Sequence, residues 1–125
     1  MPKTKVVFFM EEGGRVPVLE KMTDWAARDM RIVAKCFERI EALRERGHEI
    51  RRPDADYLRD GIYELRATYS GVNYRLLFFF CTQTGVIAVA LTKEGVVPNR
   101  EIEIAIRYKQ RFESDPKAHT YVEDE

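Results

Sequence analysis

The chain has 125 residues, with 21 Lys+Arg against 21 Asp+Glu, a formal charge of zero and 45% hydrophobic residues. That length suits one domain, and 7 Phe, 6 Tyr and a full complement of aliphatic residues exclude low-complexity disorder. The longest apolar runs, Val6 to Met10 and Leu76 to Cys81, fall far short of the roughly 20 residues that cross a bilayer. Lys3 and Lys5 precede too few apolar residues for a signal peptide, so a cytoplasmic protein without membrane contact is expected.

In chain order, Lys5-Val6-Val7-Phe8-Phe9-Met10 reads as a strand, apolar on both faces. Val16-Pro17 opens a helical region, because proline is tolerated in a first helical turn. A short helix to about Lys21 or Asp24 precedes a longer one, in which Met30, Val33, Phe37, Ile40 and Leu43 recur at intervals of three and four up to Gly47. The pair reads as an αα-hairpin lying on a sheet. After the polar connector Arg51 to Asp56 the period falls to two: in Ile62 to Tyr69 the odd positions are apolar, and Glu64, Arg66 and Thr68 share the other face with Ile62.

The turn Ser70-Gly71-Val72-Asn73 leads into Tyr74 to Phe80, apolar on both faces except at Arg75. A second turn, Thr82 to Gly85, leads into Val86 to Thr92, so three strands form an antiparallel meander. Pro98-Asn99 opens a last helix with Asn99 as its N-cap and Ile102, Ala105, Ile106 and Phe112 as its apolar stripe. The order is β-α-α-β-β-β-α. The expected fold is α+β, a single domain over residues 1–115 with about four mainly antiparallel strands and helices on one face, followed by a polar, frayed tail over residues 116–125.

Zero net charge conceals a gradient. Residues 1–112 carry 20 basic and 16 acidic groups, a net +4, whereas residues 113–125 carry one basic and five acidic groups, a net −4. Cys36 and Cys81 have neither metal-ligand nor disulfide spacing and read as small reduced hydrophobes. His48 and His119 read as solvated surface histidines.

Charges on one face of the meander carry the chemical signal. Neighbouring strands lie less than about 5 Å apart, so Glu64, Arg66 and Arg75 can converge on one patch, with Lys93 and Glu94 following the last strand. An arginine in a central apolar strand is costly unless paired or solvated at a cleft. The row fits either a structural ion pair, Glu64–Arg75 or Glu64–Arg66, that caps the open sheet face or a phosphate site, since the guanidinium fork matches phosphate oxygens.

The stretches Gly61-Ile62-Tyr63-Glu64-Leu65-Arg66, Asn73-Tyr74-Arg75-Leu76-Leu77-Phe78-Phe79-Phe80, Leu91-Thr92-Lys93-Glu94 and Val97-Pro98 before Glu101-Ile102-Glu103-Ile104-Ala105 resemble the RelE/HigB-like toxins of bacterial type II toxin–antitoxin systems, in the branch often found as phage-derived proteins. The resemblance implies a RelE-like fold and a metal-independent, cofactor-free endoribonuclease that cuts mRNA in the ribosomal A site. It also implies a hetero-oligomer with a cognate antitoxin of helix-turn-helix type, for which Arg28, Arg31, Lys35 and Arg39 are candidate contacts.

By the same resemblance Arg75 holds the scissile phosphate, Arg66 is a second basic group and Lys93 a further phosphate-binding or catalytic one. Glu64 stands where the family carries a lysine proposed as general base, Ile62 replaces another lysine, and Glu94 replaces a basic residue. The implied catalytic set is Glu64, Arg66, Arg75 and Lys93. Tyr63, Glu94 and Arg100 are the implied substrate contacts, and Tyr69 and Tyr108 are further candidates for stacking on a base. Two other readings stay open: a ParE-like toxin directed at DNA gyrase, and a catalytically inactive protein that only binds an antitoxin.

Overall fold

The computed structural model describes residues 3–122, so Glu123, Asp124 and Glu125, the end of the acidic tail, lie outside the described residues. The elements are β1 (Lys5–Phe9), α1 (Pro17–Arg28), α2 (Met30–Arg46), β2 (Ala55–Arg59), β3 (Ile62–Tyr69), β4 (Val72–Cys81), β5 (Thr84–Thr92), α3 (Asn99–Ser114) and β6 (Thr120–Tyr121), with 3-10 turns at Gly47–Glu49 and Lys117–His119. The class is α+β, as expected, but the sheet has six strands in the order β2-β3-β4-β5-β1-β6. β1 runs parallel to β5 and every other neighbouring pair is antiparallel.

The two additional strands arise where the sequence carries no period. β2 occupies the end of the polar connector and exists through its pairing with β3. β6 has two residues, paired with Phe8 and Phe9 of β1, so Thr120 and Tyr121 are fixed to the sheet and not frayed. His119, expected on the surface, is 4% exposed: its ring stacks on Phe9 at 5.2 Å and its Nδ1 lies 2.7 Å from the Met10 carbonyl.

Helices cover both faces of the sheet, not one. α1 and α2 lie over Phe8, Leu65, Leu76, Phe78 and Ile87. α3 lies on the opposite face over Phe9, Ile62, Leu77, Phe79 and Val86, which it meets with Ile102, Ala105 and Phe112. This is why β1 and β4 are apolar at consecutive positions: each successive side chain enters a different core. On α2 the buried row is Ile32, Cys36, Ile40 and Leu43, one step round the helix from the expected stripe; Val33 and Phe37 are half-buried and Met30 is 67% exposed.

Turn chemistry sets the register of the meander. Both hairpins flanking β3 close in two residues, Asp60-Gly61 at φ 53° and 81° and Ser70-Gly71 at φ 52° and 80°. Two consecutive positive φ values match the twist of the flanking strands, and glycine takes the second position without a Cβ penalty. At the start of α3 the N-cap is Pro98 and not Asn99. The Asn99 side chain instead accepts from Arg59 and donates to Glu103 Oε2 at 3.2 Å.

Asp29 joins the first two helices without a loop. Its backbone N–H donates to Trp25 O, and its carboxylate accepts from the Arg31 backbone N–H at 2.9 Å, from the Arg31 guanidinium at 3.0 Å and from Tyr69 OH at 3.1 Å. These bonds, the Arg31 guanidinium first, hold its pKa down from 3.8 to about 2. A lowered folded-state pKa stabilises the fold above the ordinary value, and that contribution is lost as pH falls through the lower one. Asp29→Asn is therefore expected to lower the melting temperature at pH 6, with the gap to wild type closing between pH 3.8 and about 2. A gap that stays constant across that window would contradict the assignment.

Candidate functional site

Alternation along β3 turns Ile62, Glu64, Arg66 and Thr68 toward the face that α3 covers, and along β4 it turns Arg75, Leu77 and Phe79 the same way. Ile62, Leu77 and Phe79 lie beneath the helix. Glu64, Arg66 and Arg75 lie beside that cover, on the floor of an open cleft of about 670 Å³. One wall is the segment Pro53 to Leu58, and the other is the loop Glu94 to Val97 before α3; Thr68 and Asn73 extend the floor.

Arg66 and Arg75 are direct cross-strand partners, a like-charge pair that is unfavourable alone. Glu64 resolves it. Its Oε1 accepts from Arg75 Nη1 at 3.0 Å, and its Oε2 accepts from Arg66 Nη2 at 3.0 Å and Nε at 3.2 Å. The cluster is dry at its centre: Glu64 is 1% exposed and Arg75 7%. Both ion pairs anticipated in the sequence form at once on a single carboxylate. Arg75 Nε is buried and, among the described residues, has no hydrogen-bond partner.

A second layer links this floor to the edge of the sheet. Asp56 on β2 faces Glu64, and its Oδ2 accepts from Arg66 Nη2 at 3.4 Å and from Arg52 Nη2 at 2.8 Å. The Arg52 guanidinium holds the Asp56 carboxyl below the usual range, against a smaller opposing effect of burial. β2 stops pairing at Leu65, so the backbone of Arg66 is completed by other groups. Its N–H donates to Asp54 O at 2.8 Å, and its carbonyl accepts from Arg39 Nε at 2.9 Å. Asp54 in turn pairs with Arg39 and Arg46. Five arginines thus share three carboxylates, an excess of two positive charges.

Of the residues singled out in the sequence, the structure brings Glu64, Arg66, Arg75 and Glu94 to one cleft. Lys93 is exposed on the loop beside Glu94, outside the lining, with its backbone N–H donating to Asn73 O. Arg100 is exposed on α3, 3.9 Å from Glu101. Tyr63 lies on the opposite face, stacked on Phe78 at 5.3 Å. Tyr69 donates to Asp29, and Tyr108 stacks on Phe9 at 4.2 Å and donates to Glu11 at 2.9 Å. None of the three tyrosines lines the cleft.

His48 is exposed and stacks on Phe80. Burial pushes the Cys36 thiol up to about 12, which leaves it unreactive. Among the described residues no group of three or more His, Cys, Asp or Glu could hold a metal ion, and no helix is long and apolar enough to cross a membrane.

Arg39, Asp54 and Asp56 line the cleft, although the sequence singles out Arg39 only as a candidate antitoxin contact and the two aspartates not at all. Arg39 is one of several basic residues on α2; Arg31 pairs with Asp29 and Lys35 with Glu38, whereas Arg39 alone of that row reaches the cleft. Asp54 and Asp56 look like connector residues. Their spacing of two, with Ala55 buried between them, is the one trace of the strand that aims them inward.

The arrangement offers a fixed, partly desolvated guanidinium pair suited to a phosphate, held by a carboxylate whose two oxygens both accept from it. No curated protein gives a significant match to the chain. A family described as Phage derived protein Gp49-like (DUF891) matches residues 23–110. That span runs from within α1 to within α3 and includes Arg39, the whole β2 to β5 meander and every residue lining the cleft. The chain belongs to the Gp49-like family of phage-derived proteins.

Proposed function

We propose that this protein is the toxin of a type II toxin–antitoxin pair and that its cleft cuts mRNA on the ribosome. The observation that carries the reading is Arg75: a nearly buried guanidinium in a central strand, held by one bond to Glu64, with a buried Nε that no group of the described chain satisfies. An unmade buried hydrogen bond costs on the order of 1–3 kcal/mol. A phosphate oxygen is an acceptor of matching geometry and charge.

In the proposed reaction the ribose 2′-oxygen attacks the adjacent phosphorus, the 2′-proton passes to Glu64, and the P–O5′ bond breaks to leave a 2′,3′-cyclic phosphate. Arg75 and Arg66 stabilise the charge that builds on the phosphoryl oxygens. Lys93 orients the phosphate or protonates the departing 5′-oxygen, while Glu94 and Arg100 are proposed to contact the strand; Tyr63, on the opposite face of the sheet, takes no part in this arrangement. Both Glu64 oxygens accept arginine hydrogen bonds at rest, so the phosphate must draw Arg75 from its single bond to Oε1 before Glu64 can act as base, while the Arg66 bonds to Oε2 persist. The same saturation of Glu64 favours a second reading, in which the chain has lost catalysis and only binds its antitoxin.

The test is a reconstituted translation reaction with ribosomes halted on a defined message and the purified protein added. Cleavage within the A-site codon, absent when ribosomes are omitted, is the expected outcome. Intact mRNA with unimpaired growth on expression would leave the binding-only reading. Intact mRNA with double-strand DNA breaks would assign the chain to a gyrase-directed class.

A further inference from the structure

Asp56 and Glu64 face each other across the β2–β3 pair. Two carboxylates so placed repel unless a cation lies between them, and that cation is Arg66. Its hold on the two is unequal. Arg66 Nη2 lies 3.0 Å from Glu64 but 3.4 Å from Asp56, the long end of the hydrogen-bond range. Asp56 is held more closely by Arg52, at 2.8 Å, on a side chain that is 73% exposed. If the Arg66 contact breaks, the Asp56 charge is therefore still compensated.

We infer that Asp56 is a built-in competitor for the phosphate of an RNA strand: it occupies the outer side of Arg66 and gives way when a phosphate enters the cleft. The inference rests on reading the cleft as an RNA site and adds how that site is regulated. A phosphate that takes two guanidinium hydrogens outcompetes one contact at 3.4 Å, whereas Glu64, on its shorter bonds, stays in place. The competitor weakens binding to free RNA, where every encounter must displace it. It matters far less for a strand already held at the cleft by a larger particle, because the effective concentration is then high.

The test uses a short 2′-O-methyl RNA strand, whose blocked 2′-oxygen cannot attack, with affinity measured by fluorescence anisotropy over a range of salt concentrations. Asp56→Asn is expected to bind about five- to tenfold more tightly than wild type, with a salt slope steeper by roughly 0.7, as for one more phosphate contact to a single strand. Asp60→Asn removes the same charge from a turn outside the cleft, where Asp60 pairs with Arg59, and is expected to leave affinity unchanged. In an Arg66→Ala background the gain from D56N is expected to vanish.

Equal or weaker binding by D56N would overturn the inference, as would an equal gain in D60N, which would mean net charge alone, or a gain that persists without Arg66. Asp56→Ser is measured in parallel, with circular dichroism on each variant, so that a folding fault in one substitution does not decide the result. If the wild type fails to cut ribosome-bound mRNA, the functional reading falls while this affinity ratio still stands or falls on its own.

Discussion

Arg75→Ala is expected to lower mRNA cleavage by about 10²- to 10³-fold, the usual effect of removing a fixed donor from a developing oxyanion. The same substitution is expected to cost about 3 kcal/mol of stability, because Glu64 stays buried with one of its two cationic partners gone. The two losses can be separated. Replacing both members, Glu64→Leu with Arg75→Met, exchanges a buried ion pair for apolar groups of similar volume and should recover most of the stability with no recovery of cleavage. Urea unfolding and a ribosome-dependent cleavage assay on wild type, R75A and E64L/R75M give the comparison. If R75A cuts at the wild-type rate, Arg75 is a structural residue only; if the double variant is less stable than R75A, the ion pair does more for the fold than desolvation arithmetic allows.

Phe79→Ala is expected to have the largest effect on stability, about 3–5 kcal/mol. Phe79 is fully buried beneath α3, edge-on to Phe112 at 5.9 Å, so its removal opens a cavity in the smaller of the two cores. That core also carries Val97, the buried anchor of the loop that forms one cleft wall. Loss of stability and loss of cleft shape should therefore appear together: a lower urea midpoint at unchanged slope and weaker binding of the uncuttable RNA strand. A midpoint shift worth less than about 1 kcal/mol would mean that the core can close over the gap.

Residue type and spacing revealed most of the meander. The period of two in Ile62 to Tyr69 placed Glu64 and Arg66 on one face, and the lone arginine in Tyr74 to Phe80 marked the site, because an unpaired charge in a doubly apolar strand needs a reason. Helix placement was also written there: β1 and β4 are apolar at consecutive positions, which requires cover on both faces, and α3 supplies it. The expectation of helices on one face ignored that consequence. Other features lay beyond any local pattern. Two residues of β6 have no period to read, and β2 owes its strand form to β3. The aim of Arg39, Asp54 and Asp56 depends on where β2 stops pairing, so no window of sequence around them reveals that they face a cleft.

The position of β1 has a consequence for how the molecule folds. The strands from β2 to β5 pair with immediate neighbours in the chain, and such contacts close quickly. β1 pairs with Thr84 to Ile87 on one side and with Thr120 and Tyr121 on the other, so among the described residues β1, made before the other strands, has no pairing partner until β5 follows it. During synthesis Val6 to Phe9 is an unpaired apolar edge, the kind of segment that joins other chains when it waits. Lys3 and Lys5 before it and Glu11 and Glu12 after it act as charged gatekeepers over that interval. Docking of β1 between β5 and β6 is then a late step, the one that ties β6 to the meander in a single sheet.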